Sequence, residues 1–167
     1  LGVPAKNVAE PFDSVTFCLS KALCAPVGSV LCGSKEFIVK AHRARKQLGG
    51  GMRQAGILAA AGIVALSTMV DRLNEDHARA RNLSDGLRQI SGLVLDPDTP
   101  ATNMVFLNLA DSIPFDAIQV ADKMKERGVL IGVTGKRRFR LVTHYWISDE
   151  GVENTISTFR DVLMSTI

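Results

Sequence analysis

From Arg53 to about Ile90 the chain runs without a proline, first as the charge-free stretch Gln54 to Val70 and then as a strongly charged one. An unbroken run this rich in Ala and Leu predicts helix over about residues 54–90, as one long helix or two in line. In its second part Leu73, His77, Ala80, Leu83, Leu87 and Ile90 recur at steps of three and four, giving an apolar stripe opposite a charged face. The first part is apolar all round, which predicts a buried helix; bounded by Arg53 and Asp71, it falls short of the roughly 18 residues that a membrane span requires. A helix of that kind has to be covered, and this demand constrains everything else in the chain.

Upstream of it the sequence offers little cover. Val15 to Leu19 and Ser29 to Cys32 read as two short strands around a turn at Pro26-Val27-Gly28, and Ser34 caps a helix from Lys35 to about Leu48 that stops at Gly49-Gly50-Gly51. Two strands cannot cover so much helix surface, so part of the first sheet is expected to lie outside this sequence. Downstream the elements balance: strands at Leu93 to Leu95, Met104 to Leu109, Val129 to Val133 and Arg138 to Thr143, and a helix from Phe115 to Arg127 introduced by Pro114 and ended by Gly128. Ser148-DEG opens a terminal helix with Val152, Ile156, Phe159 and Leu163 on one side. The expected organisation is α/β: residues 1–74 as an incomplete larger domain, and residues 75–167 as a complete small α+β domain.

Composition narrows the class. With 167 residues, 46% of them hydrophobic, the chain can bury a substantial core, and 20 Lys and Arg against 17 Asp and Glu leave +3, too little to imply nucleic acid or a membrane surface. Cys18, Cys24 and Cys32 are odd in number and lack C-x-x-C spacing, which argues for buried thiols in a reducing compartment and against a metal centre. The opening LGVPAKNVAEPFD has neither the basic stretch nor the apolar run of a secretory signal.

Three places could carry chemistry. Lys21 follows an apolar strand between Ser20 and Ala22, with no carboxylate near it in sequence; desolvation there would favour the neutral amine that attacks a carbonyl to form a Schiff base. On spacing alone the commoner role is a surface lysine at a strand end. Between Lys35 and Arg53 six cations (Lys35, Lys40, Arg43, Arg45, Lys46, Arg53) face the single acid Glu36, a concentration that attracts phosphate or carboxylate, unless it is simply a solvated helix face. Only Phe37 is interleaved as a stacking platform, so nucleic acid is the weaker third possibility, and Gly28-SVLCGSK has the wrong residue order for a phosphate loop. Alternation along Arg138-FRLVT sends Phe139 and Leu141 to one face and Arg140 to the other, where its planar fork can grip a carboxylate or merely face solvent. His77 reads as a packed helix histidine, His42 lies in the basic helix and His144 ends a strand; no nucleophile triad is framed.

Taken together, Phe17-CLSKALCAPVGSVLCGSKEF, Arg45-KQLGGGMRQAGILAAAG and Phe139-RLVTH resemble the C-terminal half of the low-specificity threonine aldolases, over almost the whole chain. The resemblance implies part of an aspartate aminotransferase-like (fold type I) subunit that depends on pyridoxal 5'-phosphate. It implies cleavage of L-threonine or L-allo-threonine to glycine and acetaldehyde, in amino-acid catabolism and glycine formation. By resemblance Lys21 holds the cofactor through a Schiff base, Lys46 and Arg53 approach the cofactor phosphate of a neighbouring subunit, and Arg140 binds the substrate carboxylate. A homo-oligomer (dimer or tetramer) in the cytoplasm is implied, with no metal, nucleic acid or membrane. Where the family carries glycines after the lysine, this chain has Ala22 and Cys24. The family's subunits are longer, so the resemblance also implies a chain that is a poor catalyst alone. The competing readings are another fold-type-I reaction, β-elimination or hydroxymethyl transfer, and a non-catalytic partner subunit.

Overall fold

The computed structural model describes residues 2–164. The chain divides into two compact units, Leu1–Leu73 and Asn74–Ile167.

The first unit opens with a short helix α1 (Ala5–Ala9), which no pattern in the sequence signals, followed by strand β1 (Ser14–Cys18) and strand β2 (Ser29–Gly33). The strands pair antiparallel, with Val15 opposite Cys32 and Cys18 opposite Ser29. Helix α2 (Lys35–Gln47) starts as expected at Ser34, whose Oγ accepts from the Phe37 N–H at 3.2 Å. It ends in the glycine triplet: Gly49 takes φ +85°, its N–H donates to the Lys46 carbonyl, and the Gly50 N–H donates to the Arg45 carbonyl. These two bonds form a Schellman cap.

Helix α3 (Gly56–Thr68) corrects the expectation of a buried helix. Only Gly62 and Ala65 are buried, whereas Ile57 is 80% exposed and Ile63 67%. The buried cluster of this unit is Leu19, Ala25 and Ala65, and a two-stranded sheet has no more surface to offer. The expected burial of the thiols fails for the same reason, since Cys18, Cys24 and Cys32 are all exposed. Among the described residues no single helix is long and apolar enough to cross a membrane.

The second unit begins where the proline-free span breaks. Helix α4 (Leu73–Arg88) is separate from α3, so the span expected over residues 54–90 is two helices. A four-stranded antiparallel sheet follows, made of β3 (Leu93–Leu95), β4 (Met104–Leu109), β5 (Gly132–Gly135) and β6 (Arg138–Val142) in the order β3-β4-β6-β5. Val105, Leu107, Phe139 and Leu141 point into a core shared with α4, helix α5 (Ala117–Glu126) and helix α6 (Asp149–Met164). Phe139 and Phe159 meet edge to face at its centre, with ring centroids 5.8 Å apart.

Two element starts are displaced from expectation for a capping reason. Helix α5 starts after Asp116 rather than at Phe115, because Asp116 and Gln119 form a reciprocal capping box. The apolar run Val129 to Ile131 does not begin the strand: Gly128 at φ +82° and Val129 donate to the Lys125 and Met124 carbonyls, closing α5 with buried Val129 against buried Met124. Pairing in β5 therefore starts at Gly132.

On α4, Ala80, Leu83 and Leu87 are buried and His77 is partly so. Packing desolvates the His77 imidazolium, and Arg81 adds repulsion against the opposing pull of Asp76, so its pKa lies below 6.5. The unfolded chain binds this proton more readily, so the linked stability is intact above pH 6.5 and declines as pH falls through the folded-state pKa. An NMR titration should place the His77 midpoint below 6.5, and His77→Gln should flatten the loss of urea resistance between about pH 7 and pH 5. An unshifted midpoint would contradict the packing described for this ring.

Candidate active-site residues

Lys21 lies on the connection between β1 and β2. That connection is closed on itself: the Leu19 N–H donates to the Gly28 carbonyl at 2.9 Å, and the Ala25 N–H donates to the Leu19 carbonyl at 3.1 Å. The Cys24 N–H donates to the Lys21 carbonyl at 2.9 Å, making a tight turn that has the lysine at its start. Leu19 and Ala25 are buried and pin the loop, while the Lys21 side chain is exposed. The placement just beyond a strand end is as expected; the desolvated setting is not. An apolar hollow of about 270 Å³ beside the loop is lined by Leu23, Cys24 and Ala65 among others, and not by Lys21. Among the described residues Lys21 has no ion pair or side-chain hydrogen bond, which leaves its amine free to react.

Lys46 and Arg53 flank the glycine triplet, and both are exposed. A Cβ on Gly51 would stand 2.7 Å from the Lys46 Nζ, so the absence of a side chain there lets Lys46 fold across the link that leads to Arg53. The cations gathered on this segment have the chemistry to hold a phosphate dianion. Lys40 is engaged by Glu36 at 2.6 Å, a fully solvated i,i+4 pair.

Arg140 is on the other unit. It projects from β6 on the sheet face away from Phe139 and Leu141, as alternation requires, with Phe106 and Gly132 as cross-strand neighbours. A Cβ on Gly132 would meet the Arg140 carbonyl oxygen at 2.8 Å, so only glycine lets β5 lie this close. The neighbouring arginines are committed: Arg138 pairs with Asp96, and the Arg137 guanidinium donates to the carbonyls of Leu109, Ala110, Ile113 and Phe115. Arg140 has no such partner among the described residues, and it lines a cavity of about 290 Å³. His144, two residues beyond the end of β6, lines the same cavity, a placement that strand alternation does not reveal.

Cys24 takes φ +59°, a left-handed conformation that costs an L-residue about 1–2 kcal/mol. The backbone at Cys24 thus takes a shape that glycine adopts without strain. Cys24→Gly should keep or raise the urea midpoint by an amount equivalent to up to about 1 kcal/mol, and β-branched Cys24→Val should lower it. A lower midpoint for Cys24→Gly would mean that the thiol contributes more than the strain takes away.

The beta-eliminating lyase family matches residues 1–112. Low-specificity L-threonine aldolase 1 of Arabidopsis thaliana is 41% identical over 165 residues, which are 99% of this chain and 46% of that protein. Low specificity L-threonine aldolase of Escherichia coli K12 is 42% identical over 162 residues, 97% of this chain and 46% of that protein. A solved Listeria monocytogenes structure, assigned as an L-allo-threonine aldolase, superposes with a TM-score of 0.76 at 18% identity, over 96% of this chain and 47% of that one. That likeness bears on fold, and makes the architecture that of part of a fold-type-I, aspartate aminotransferase-like subunit. The chain spans about half the length of the curated relatives it matches. Along its own length, these matches establish that the chain belongs to the beta-eliminating lyase family.

Proposed function

We propose that this chain carries the C-terminal half of a pyridoxal-phosphate-dependent carbon–carbon lyase that cleaves L-threonine or L-allo-threonine to glycine and acetaldehyde. The observation that carries this is Lys21: an exposed, uncommitted primary amine on a loop fixed by backbone hydrogen bonds, in a chain aligned almost end to end with low-specificity threonine aldolases. Its donor set suits the cofactor's two demands, an amine for its aldehyde and cations for its phosphate.

Pyridoxal phosphate, when bound, supplies the electron sink that lets the Cα–Cβ bond of the amino acid break. Lys21 is the residue that would hold it, through its aldehyde. Lys46 and Arg53 are the residues that would hold its phosphate, in a neighbouring subunit. Arg140 takes the substrate carboxylate in its planar fork and so orients the Cα substituents. In the net reaction the β-hydroxyl proton is removed, Cα regains a proton, and the carbon skeleton leaves as acetaldehyde and glycine.

In this account residues 1–74 are the remainder of the cofactor-binding large domain and residues 75–167 the small domain. The working form is a cytoplasmic homo-oligomer, dimer or tetramer, in amino-acid catabolism and glycine formation. The exposed apolar side chains of α3 support assembly, because such a patch in water favours being covered.

Borohydride reduction of the chain with pyridoxal phosphate, followed by peptide mapping, should put the added mass on Lys21, and Lys21→Arg should lose it. Label scattered over Lys35, Lys40 and Lys46 would overturn the assignment. Arg140→Gln should weaken L-threonine binding about tenfold or more, since a charge-assisted contact is lost; unchanged affinity would remove Arg140 from the substrate site.

A further inference from the structure

The cavity beside Arg140 contains a second donor. Four polar side chains line it: Arg140, Thr143, His144 and Thr155. The two hydroxyls have their protons committed, Thr143 Oγ1 donating to the Asp76 carbonyl at 2.6 Å and Thr155 Oγ1 to the Gly151 carbonyl at 2.7 Å. His144 is fixed differently. Its carbonyl accepts from the Ile147 N–H at 2.8 Å, and its Nδ1 accepts from the Trp146 N–H at 3.3 Å. With Nδ1 taken up as an acceptor, Nε2 is the ring nitrogen left to donate. The side-chain N–H groups left to the cavity are therefore the Arg140 guanidinium and the His144 Nε2–H. Leu130, Ile131 and Val142 supply apolar wall around them.

We propose that His144 is a second carboxylate-binding residue, its Nε2–H donating to a small aliphatic carboxylate whose charge is held by Arg140. The pairing divides the work: Arg140 supplies the charge, while the imidazole, tied through Nδ1 to the Trp146 N–H, supplies direction. The apolar wall accepts a short hydrocarbon body, so the ligand class is a small amino or hydroxy acid rather than a bare inorganic anion. This inference rests on the assignment of Arg140 to a carboxylate and adds a residue to that site.

The test uses the 167-residue chain, L-threonine and L-threonine amide as probes, and NMR detection of the His144 ring nitrogens. His144→Asn keeps an acceptor for the Trp146 N–H but loses the donor at Nε2, while His144→Gln restores a donor at that reach. Saturation with L-threonine should shift the His144 Nε2 resonance in the unmodified chain. His144→Asn should weaken L-threonine about tenfold, leave the amide little changed, and be partly rescued by His144→Gln. Equal losses for threonine and its amide, or no loss for either, would overturn the role of His144 while Arg140→Gln still weakened binding. An Arg140→Gln chain that binds as well as the unmodified one would instead overturn the carboxylate assignment itself, and this inference with it.

Discussion

Across the β4–β6 pair, Phe106 stands opposite Arg140 and Leu107 opposite Phe139, and this register decides which side chains of the sheet are exposed and which are core. Slipping it by one residue would drive a guanidinium into the space filled by Phe139 and Phe159 and expose the phenyl ring, so hydrophobic burial itself selects the position of Arg140. β6 is paired on both sides, which leaves little freedom for such a slip. On the open side Gly132 keeps β5 close, and the pairing irregularity between Val133 and Gly135 shifts the register just before the turn that joins β5 to β6. Even the arginine next to the strand's start is used as scaffold, collecting four carbonyls that would otherwise need other donors.

The first unit works by a different principle. It has little core, and its functional geometry comes from short-range backbone closure. Leu19 bonds to both Gly28 and Ala25, Cys24 bonds to Lys21, and the Schellman cap at Gly49 folds the triplet back so that Lys46 can cross Gly51. A loop built this way holds its shape with its side chains open to water, which is why Lys21 is positioned without being buried. Apolar helix α3 remains the element whose composition demands more cover than the described residues of its unit provide.

Much of the second unit was legible because its signals are periodic. β3 and β4 have the limits that their apolar patterns predict, and the stripes on α4 and α6 are buried from Ala80 to Leu87 and from Val152 to Leu163. What escaped were places where a local hydrogen bond outweighs hydrophobicity: Val129 spent on a helix cap, Asp116 capping where Pro114 had been expected to start the helix, and α1, which buries nothing. Burial in the first unit was misread for a different cause. An apolar sequence reports what a helix needs and not whether its neighbours supply it, so α3 and the three cysteines looked interior and are exposed. For the candidate site, alternation placed Arg140 correctly, whereas the tie between His144 and Trp146 depends on a turn that pattern alone does not reveal.

The contrast between the buried clusters carries over into how the chain responds to stress. One unit is knitted by Leu19, Ala25 and Ala65, the other by a continuous cluster running from Ala80 to Leu163. Opening free energy follows buried apolar contact, so the strands and loop that present Lys21 belong to the low-stability end of this molecule and the sheet that presents Arg140 to the high end. A protease acting on the native chain would reach the lysine loop well before the arginine strand.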